Sequence, residues 1–225
     1  MKEQQKKYEL TDEFIVHWSG KKLYRIRALV AFGAVAAGQL GGFVESEKNL
    51  DQSLSGSAWV YGNAQVYGYA QVYGNAQVYG NAKVCGDAQV YGYAKVCGDA
   101  QVYGYAQVYG YAKVYGNAQV YGYAKVYGNA QVCGDAWVYG NAWVRSYAVI
   151  LERKMIFWAS NVGSENGTLT VFNGKDGLIV TRGCFTGTVD EFLAKSAEVH
   201  DDKTKNEYKL LIEVAKSRIL GVKDE

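Results

Sequence analysis

The sequence predicts a mainly β protein: a parallel β-helix of about five regular coils, with a β-hairpin cap before it and a small α+β domain after it. Fifteen valines recur every six residues from Val60 to Val144, and an alanine stands two places before each of them. No helical period fits that spacing. In the phrase A-x-V-Y, strand alternation sends Ala and Val to one face and x and Tyr to the other, and the G-N that follows is a turn signal. Short strands separated by corners at a fixed six-residue period are the signature of a solenoid. Proline is absent from all 225 residues, as suits a rod in which nearly every backbone N–H is needed by a neighbouring strand.

Composition narrows the function. The formal net charge is +2, so no long-range field favours nucleic acid or an anionic membrane. The start MKEQQKKYEL is polar, and no run approaches the roughly 18 apolar residues of a membrane span. A cytoplasmic protein without a membrane segment is expected. Cys85, Cys97, Cys133 and Cys184 show no C-x-x-C spacing, and three of them take the outward place otherwise held by Tyr. Reduced thiols are expected, with neither a zinc site nor a disulfide framework. Neither a metal nor a cofactor is called for.

Residues 1–53 hold two β-favouring runs, F-I-V-H-W and L-Y-R-I-R-A-L, around S-G-K-K. They predict a hairpin that covers the open sheet edge of the first coil. An irregular coil follows, with Leu54 on the six-residue grid. The repeat proper occupies 54–150. With three strands per coil, residues 18 apart align, and the five coils are about 24 Å long at roughly 4.8 Å each. The corner after the first side carries Asn63, Asn81, Asp99, Asn117 and Asp135. Asn and Asp are expected there because they tolerate the left-handed turn conformation.

The third side is the most aromatic. Its outward column Tyr73, Tyr91, Tyr109, Tyr127 is unbroken, and the corner tyrosines on its two edges are Tyr69, Tyr105, Tyr123 and Tyr93, Tyr111, Tyr147. These ten residues form the candidate binding face. The position before valine is Gln or Lys through the middle of the rod, but Trp59 at one end and Trp137 and Trp143 at the other. Large apolar residues facing out only at the ends mark where flanking segments dock.

Residues 151–225 predict a small α+β domain of order βββαα. M-I-F-W-A-S, T-L-T-V-F and G-L-I-V-T read as strands. The helices open with capping boxes at Thr188–Glu191 and Thr204–Glu207. Cys184, in G-C-F, is expected to be a buried structural cysteine.

The phrase A-Q-V-Y-G-N-A-K-V-C-G-D-A resembles the hexapeptide-repeat proteins, a likeness that covers about residues 54–150 and implies a left-handed, three-sided β-helix. The flanks, with L-Y-R-I-R-A-L, L-G-G-F-V-E-S-E-K-N-L and N-V-G-S-E-N-G-T-L-T, are similar to uncharacterised proteins of bacteriophages and of prophage regions in Gram-positive bacteria. The first resemblance implies two activities to weigh. Acyltransferases of that kind use a histidine in the coil or an inserted loop as general base. Here the histidines are His17 and His200, both outside the rod, and the repeat has no insertion. A carbonic-anhydrase-like zinc site would need three histidines. The expectation is therefore a non-catalytic scaffold that engages a protein, either itself as a dimer or trimer or a bacterial factor, through the tyrosine-rich face. The alternatives are inhibition of a bacterial defence nuclease by direct contact, an acyltransferase and a glycan-binding module. DNA mimicry is disfavoured because Lys83, Lys95, Lys113 and Lys125 offset Asp87, Asp99 and Asp135.

Overall fold

In the computed structural model, which describes residues 5–221, the repeat winds into a parallel β-solenoid of about six turns. The charged start of the chain lies partly outside the described residues. Strands pair at intervals of 18 residues, as in Val60 with Val78, Val66 with Val84 and Val72 with Val90. Three sheets result, one per side. Every repeat alanine and valine from Ala58 to Val144 is fully buried in one continuous core. Each valine contributes about 1.5–3 kcal/mol of apolar burial, so the ladder holds the rod without any large side chain inside.

Each corner is a tight turn in which glycine supplies the left-handed residue. The fourteen glycines from Gly62 to Gly140 have φ between 59° and 74°, and the Ala64 N–H donates to the Tyr61 carbonyl across the turn at 3.2 Å. Positive φ at the first central position alone is the pattern of a type II′ turn. The expectation that Asn and Asp adopt the left-handed conformation is therefore corrected: they sit at the second central position, with ordinary negative φ. That is why Tyr can replace them. What the Asn/Asp corner adds is a side-chain ladder, with Asn81 Nδ2 donating to Asp99 Oδ1 and Asn117 Nδ2 to Asp135 Oδ1, both at 3.1 Å.

Hydrogen bonding between coils has a direction that dictates the caps. In the middle coils the N–H groups of x, Tyr and the corner residue donate to carbonyls of the following coil, as in Gln107 to Ala124, Tyr109 to Val126 and Tyr111 to Gly128. The first coil thus presents carbonyls that need donors. Strand β1 (Tyr8–Val16) and strand β2 (Lys22–Ala28) form the antiparallel hairpin, and β3 (Leu40–Val44) joins it to the second side of the solenoid. Backbone N–H groups of Phe43, Glu45 and Asp51 reach the carbonyls of Ala64, Val66 and Val72. Asn49 Nδ2 covers those of Gly68 and Ala70 at 3.0 and 2.9 Å, and Lys7 Nζ covers those of Gly56 and Ala58 at 3.4 and 3.3 Å. Burial lowers the Lys7 pKa, with Asp51 opposing. Leu54 does not enter the core. It is exposed in a turn, and Leu50, paired with Val72, takes the buried place instead.

The solenoid ends with Val149–Ile150, and a four-stranded antiparallel sheet follows: Ile156–Val162, Gly167–Gly174, Gly177–Arg182 and Phe185–Thr188. The sequence had shown three of these strands. The fourth is short and contains Gly187, which weakens a strand signal. Helix α1 (Val189–Val199) has the expected Thr188–Glu191 capping box. Helix α2 (Asp202–Leu220) starts earlier than expected, because Asp201 Oδ1 accepts from the Thr204 N–H at 2.8 Å and places Thr204 inside the first turn. Phe192, Tyr208, Ile212, Ala215 and Ile219 pack this pair against the sheet. Among the described residues no helix is long and apolar enough to cross a membrane.

Candidate functional site: the tyrosine columns and the C-terminal cleft

The coil spacing sets the stacking of the tyrosine columns along the rod. Tyr73, Tyr91, Tyr109 and Tyr127 stack with ring centroids 4.7–4.8 Å apart and planes within 4° of parallel. All four are half-buried. Their ring faces cover one another, so the column offers hydroxyl edges to solvent. A glycan that stacks on ring faces finds none free inside the ladder. Burial pushes the Tyr109 hydroxyl up to about 12, with Tyr127 and Tyr91 adding to it and Arg145 opposing. A similar ladder, Tyr103, Tyr121, Tyr139, runs along the second side at 4.9 Å.

The corner tyrosines are the most exposed, from 54% for Tyr93 and Tyr105 to 80% for Tyr69. They do not share one face. Tyr69, Tyr105 and Tyr123 line a groove of about 710 Å³ on the third side together with Gln89, Gln107 and Trp143. Tyr93, Tyr111 and Tyr147 line a separate groove of about 620 Å³ with Gln77, Lys95 and Lys113 of the first side. A corner residue is followed after one inward alanine by the next strand's outward residue, so its side chain belongs to the side ahead of it. Tyr105 stacks on Tyr123 and Tyr93 on Tyr111, each at 5.0 Å.

The three tryptophans meet different neighbours. Trp59 is fully buried against Tyr8 and Phe32 of the N-terminal segment, with centroids at 6.0 and 5.3 Å. Trp143 is half-buried; its N–H donates to Thr170 Oγ1 at 3.2 Å, its carbonyl accepts from Thr181 Oγ1 at 2.8 Å, and Lys125 lies over its ring. Trp137 lies beneath the Arg153 guanidinium, 3.4 Å from its ring centroid. Arg145 completes the joint by donating to the Cys184 carbonyl at 3.0 Å.

Cys184 is not buried. It stands exposed in the turn before the last strand, where Gly183 at φ 57° reverses the chain and directs the thiol outward. Cys85, Cys97 and Cys133 fill outward tyrosine places, one coil beyond Tyr67, Tyr79 and Tyr115, and the Tyr115 hydroxyl donates to Gln131 Oε1 at 3.2 Å. His17 packs between Trp18 and Tyr67, and His200 lies against Tyr208. Among the described residues no cluster of His, Cys, Asp and Glu could hold a metal.

A cleft of about 880 Å³ at the C-terminal end of the rod escapes sequence reading altogether. Trp137, Tyr139, Arg153, Trp158, Val214 and Arg218 line it. They come from the last coil, a 3-10 turn, the first strand of the C-terminal sheet and α2, and no local spacing links them.

A family model described as the YdcK beta solenoid repeat matches residues 70–86, 76–92 and 130–146. Each match is about one coil long and lies within the regular rod, so the chain is similar to that repeat in its coils. No curated protein matches the chain.

Proposed function

We propose that this chain is a non-catalytic solenoid scaffold that binds a protein partner through its two tyrosine-edged grooves. The observation that carries this reading is the exposure of six tyrosines on corners where asparagine serves the fold equally well. Tyrosine supplies large, rigid contact area at low entropic cost and is enriched in interfaces. His17 and His200 are engaged in aromatic packing, which favours binding over general-base chemistry. The covered ring faces of the ladders favour a protein over a stacked glycan. The partner is a second copy, in a dimer or trimer, or a bacterial protein. In the phage setting that the flanks resemble, a defence nuclease blocked by direct contact is one such protein.

Replacing Tyr69, Tyr105 and Tyr123 with Asn, and separately Tyr93, Tyr111 and Tyr147, tests this. Both triple variants keep the corner chemistry that other coils use, so their urea midpoints should stay near that of the parent. At least one should lose self-association by sedimentation, or the protein retained from bacterial lysate. If both variants keep every complex the parent forms, the grooves are not the binding surface.

A further inference from the structure

The two ends of the second side are treated differently. At its N-terminal end, β3 and the hairpin continue the sheet. Toward the C-terminal end, Gln119, Tyr121 and Tyr123 still donate to the carbonyls of Ala136, Val138 and Gly140 at 2.9–3.0 Å. The final strand Trp137–Val138 has no coil beyond it, and the N–H groups of Trp137, Tyr139 and Asn141 have no acceptor among the described residues. On the first side the corresponding donors of Gln131 and Cys133 go on to Ala148 and Ile150, and on the third side the Trp143 N–H ends on Thr170. Unpaired donors on a strand edge are a template for another strand.

That edge opens into the 880 Å³ cleft. Trp158 closes one end of it: its ring meets Tyr139 edge-on at 4.2 Å, and its Nε1 lies 2.9 Å from where a Cβ on Gly140 would stand. The free stretch is therefore Trp137 to Tyr139. A second sheet edge borders the same space, because Ile156–Val162 is the outer strand of the C-terminal sheet and Ile156, Phe157 and Trp158 line the cleft. The charge is mostly positive. Arg153 lies over the Trp137 ring, Arg218 lines the same cleft from α2, and neither meets a carboxylate among the described residues, while Glu213 is the acidic residue of the lining.

We propose that this cleft binds a short, extended, acidic peptide segment of a partner protein, which adds as a strand to the Trp137–Tyr139 edge. Peptide carbonyls accept from the Trp137 and Tyr139 N–H groups, an Asp or Glu carboxylate pairs with Arg153 and Arg218, and an apolar side chain rests on Trp158 and Val214. This is recognition by strand addition, in which main-chain bonds give affinity and alternate side chains give selectivity. The carboxylate prefers arginine because the planar guanidinium offers two parallel donors. The site is independent of the tyrosine grooves.

The probe is a fluorescein-labelled six-residue peptide of alternating valine and aspartate, titrated by anisotropy into the full chain. A peptide with lysine for aspartate, and free citrate as competitor, serve as controls. The aspartate peptide is expected to bind about tenfold or more tightly than the lysine peptide, with loss of about tenfold in Arg153→Gln and in Arg218→Gln, the scale of one lost ion pair. Hydrogen exchange at the Trp137 and Tyr139 amides should slow on binding, while Tyr105→Asn and Tyr111→Asn leave the affinity unchanged. Equal binding of the two peptides, full competition by millimolar citrate, or unchanged exchange at both amides would each overturn the proposal.

Discussion

Replacing Gly104 with alanine should destabilise the solenoid by about 1–2 kcal/mol, although the side chain added is one methyl group. Gly104 has φ +69°, and a Cβ built on it lies 3.1 Å from the Gly122 nitrogen and 3.3 Å from the Gly122 oxygen in the next coil. The left-handed conformation costs an L-residue about 1–2 kcal/mol. Alanine returns roughly 0.4–1 kcal/mol by losing less chain entropy on folding. The close contact then has to be relieved by moving two coils apart by a few tenths of an ångström, against hydrogen bonds such as Tyr105 to Gly122 at 2.9 Å. The contact offsets the entropic gain, which leaves the conformational cost. A neighbouring glycine column contains its own control, because Ser146 follows Gly128 at a glycine place with φ 62°. Ser146→Gly should raise stability by about 0.5–1 kcal/mol by the same reasoning. Urea unfolding followed by circular dichroism reads both as shifts of midpoint in opposite directions. Should Gly104→Ala match or exceed the parent in stability, the type II′ corner is wrong.

Alkali should unfold the rod through its tyrosines. Tyr79 and Tyr115 are held near pKa 12, first by the neighbouring Cys97 and Cys133 thiols and then by burial, and Tyr109 is held near 12 by burial. A raised folded pKa stabilises below the unfolded value of 10.0 and loses that contribution as pH rises through 12. Phenolate absorbance and circular dichroism should therefore change together between about pH 10 and 12; full phenolate absorbance at pH 11 with an intact fold would contradict this. Cys184, being exposed, should react with a thiol reagent in the native state well before Cys133, which is 3% exposed. Mass spectrometry of the partly modified protein decides the order, and preferential labelling of Cys133 would refute it.

The solenoid was legible because its period is a physical constraint repeated fifteen times: alanine and valine at fixed places can be buried together in only one way. The columns 18 residues apart follow from three strands per coil, and Val60 does pair with Val78. What stayed hidden depends on one backbone angle or on distant residues. The sequence N-A after each glycine invites a left-handed Asn, yet the turn puts that conformation on the glycine. Leu54 fits the grid by number, but the loop 51–57 carries extra residues between Leu50, paired with Val72, and Val60, paired with Val78, so Leu50 reaches the core and Leu54 loops out. Asp201 caps α2 although Thr204 and Glu207 imitate a capping box. The division of the corner tyrosines between two grooves needs the direction of each side chain, which a column count does not contain. The cleft is illegible for a simpler reason, since Trp137, Arg153 and Arg218 meet only once the C-terminal domain has docked.

Site-specific photo-crosslinking tests the central claim most directly. Benzoylphenylalanine in place of Tyr105 and of Tyr111 stands in the two grooves, and the same residue in place of Asn117 stands on the Asn/Asp corner outside both. Irradiated in bacterial lysate, the groove positions should give one discrete protein adduct, to a second copy or to another protein, and Asn117 should give none. Equal adducts at all three positions, or none at Tyr105 and Tyr111, would contradict a tyrosine-edged binding scaffold.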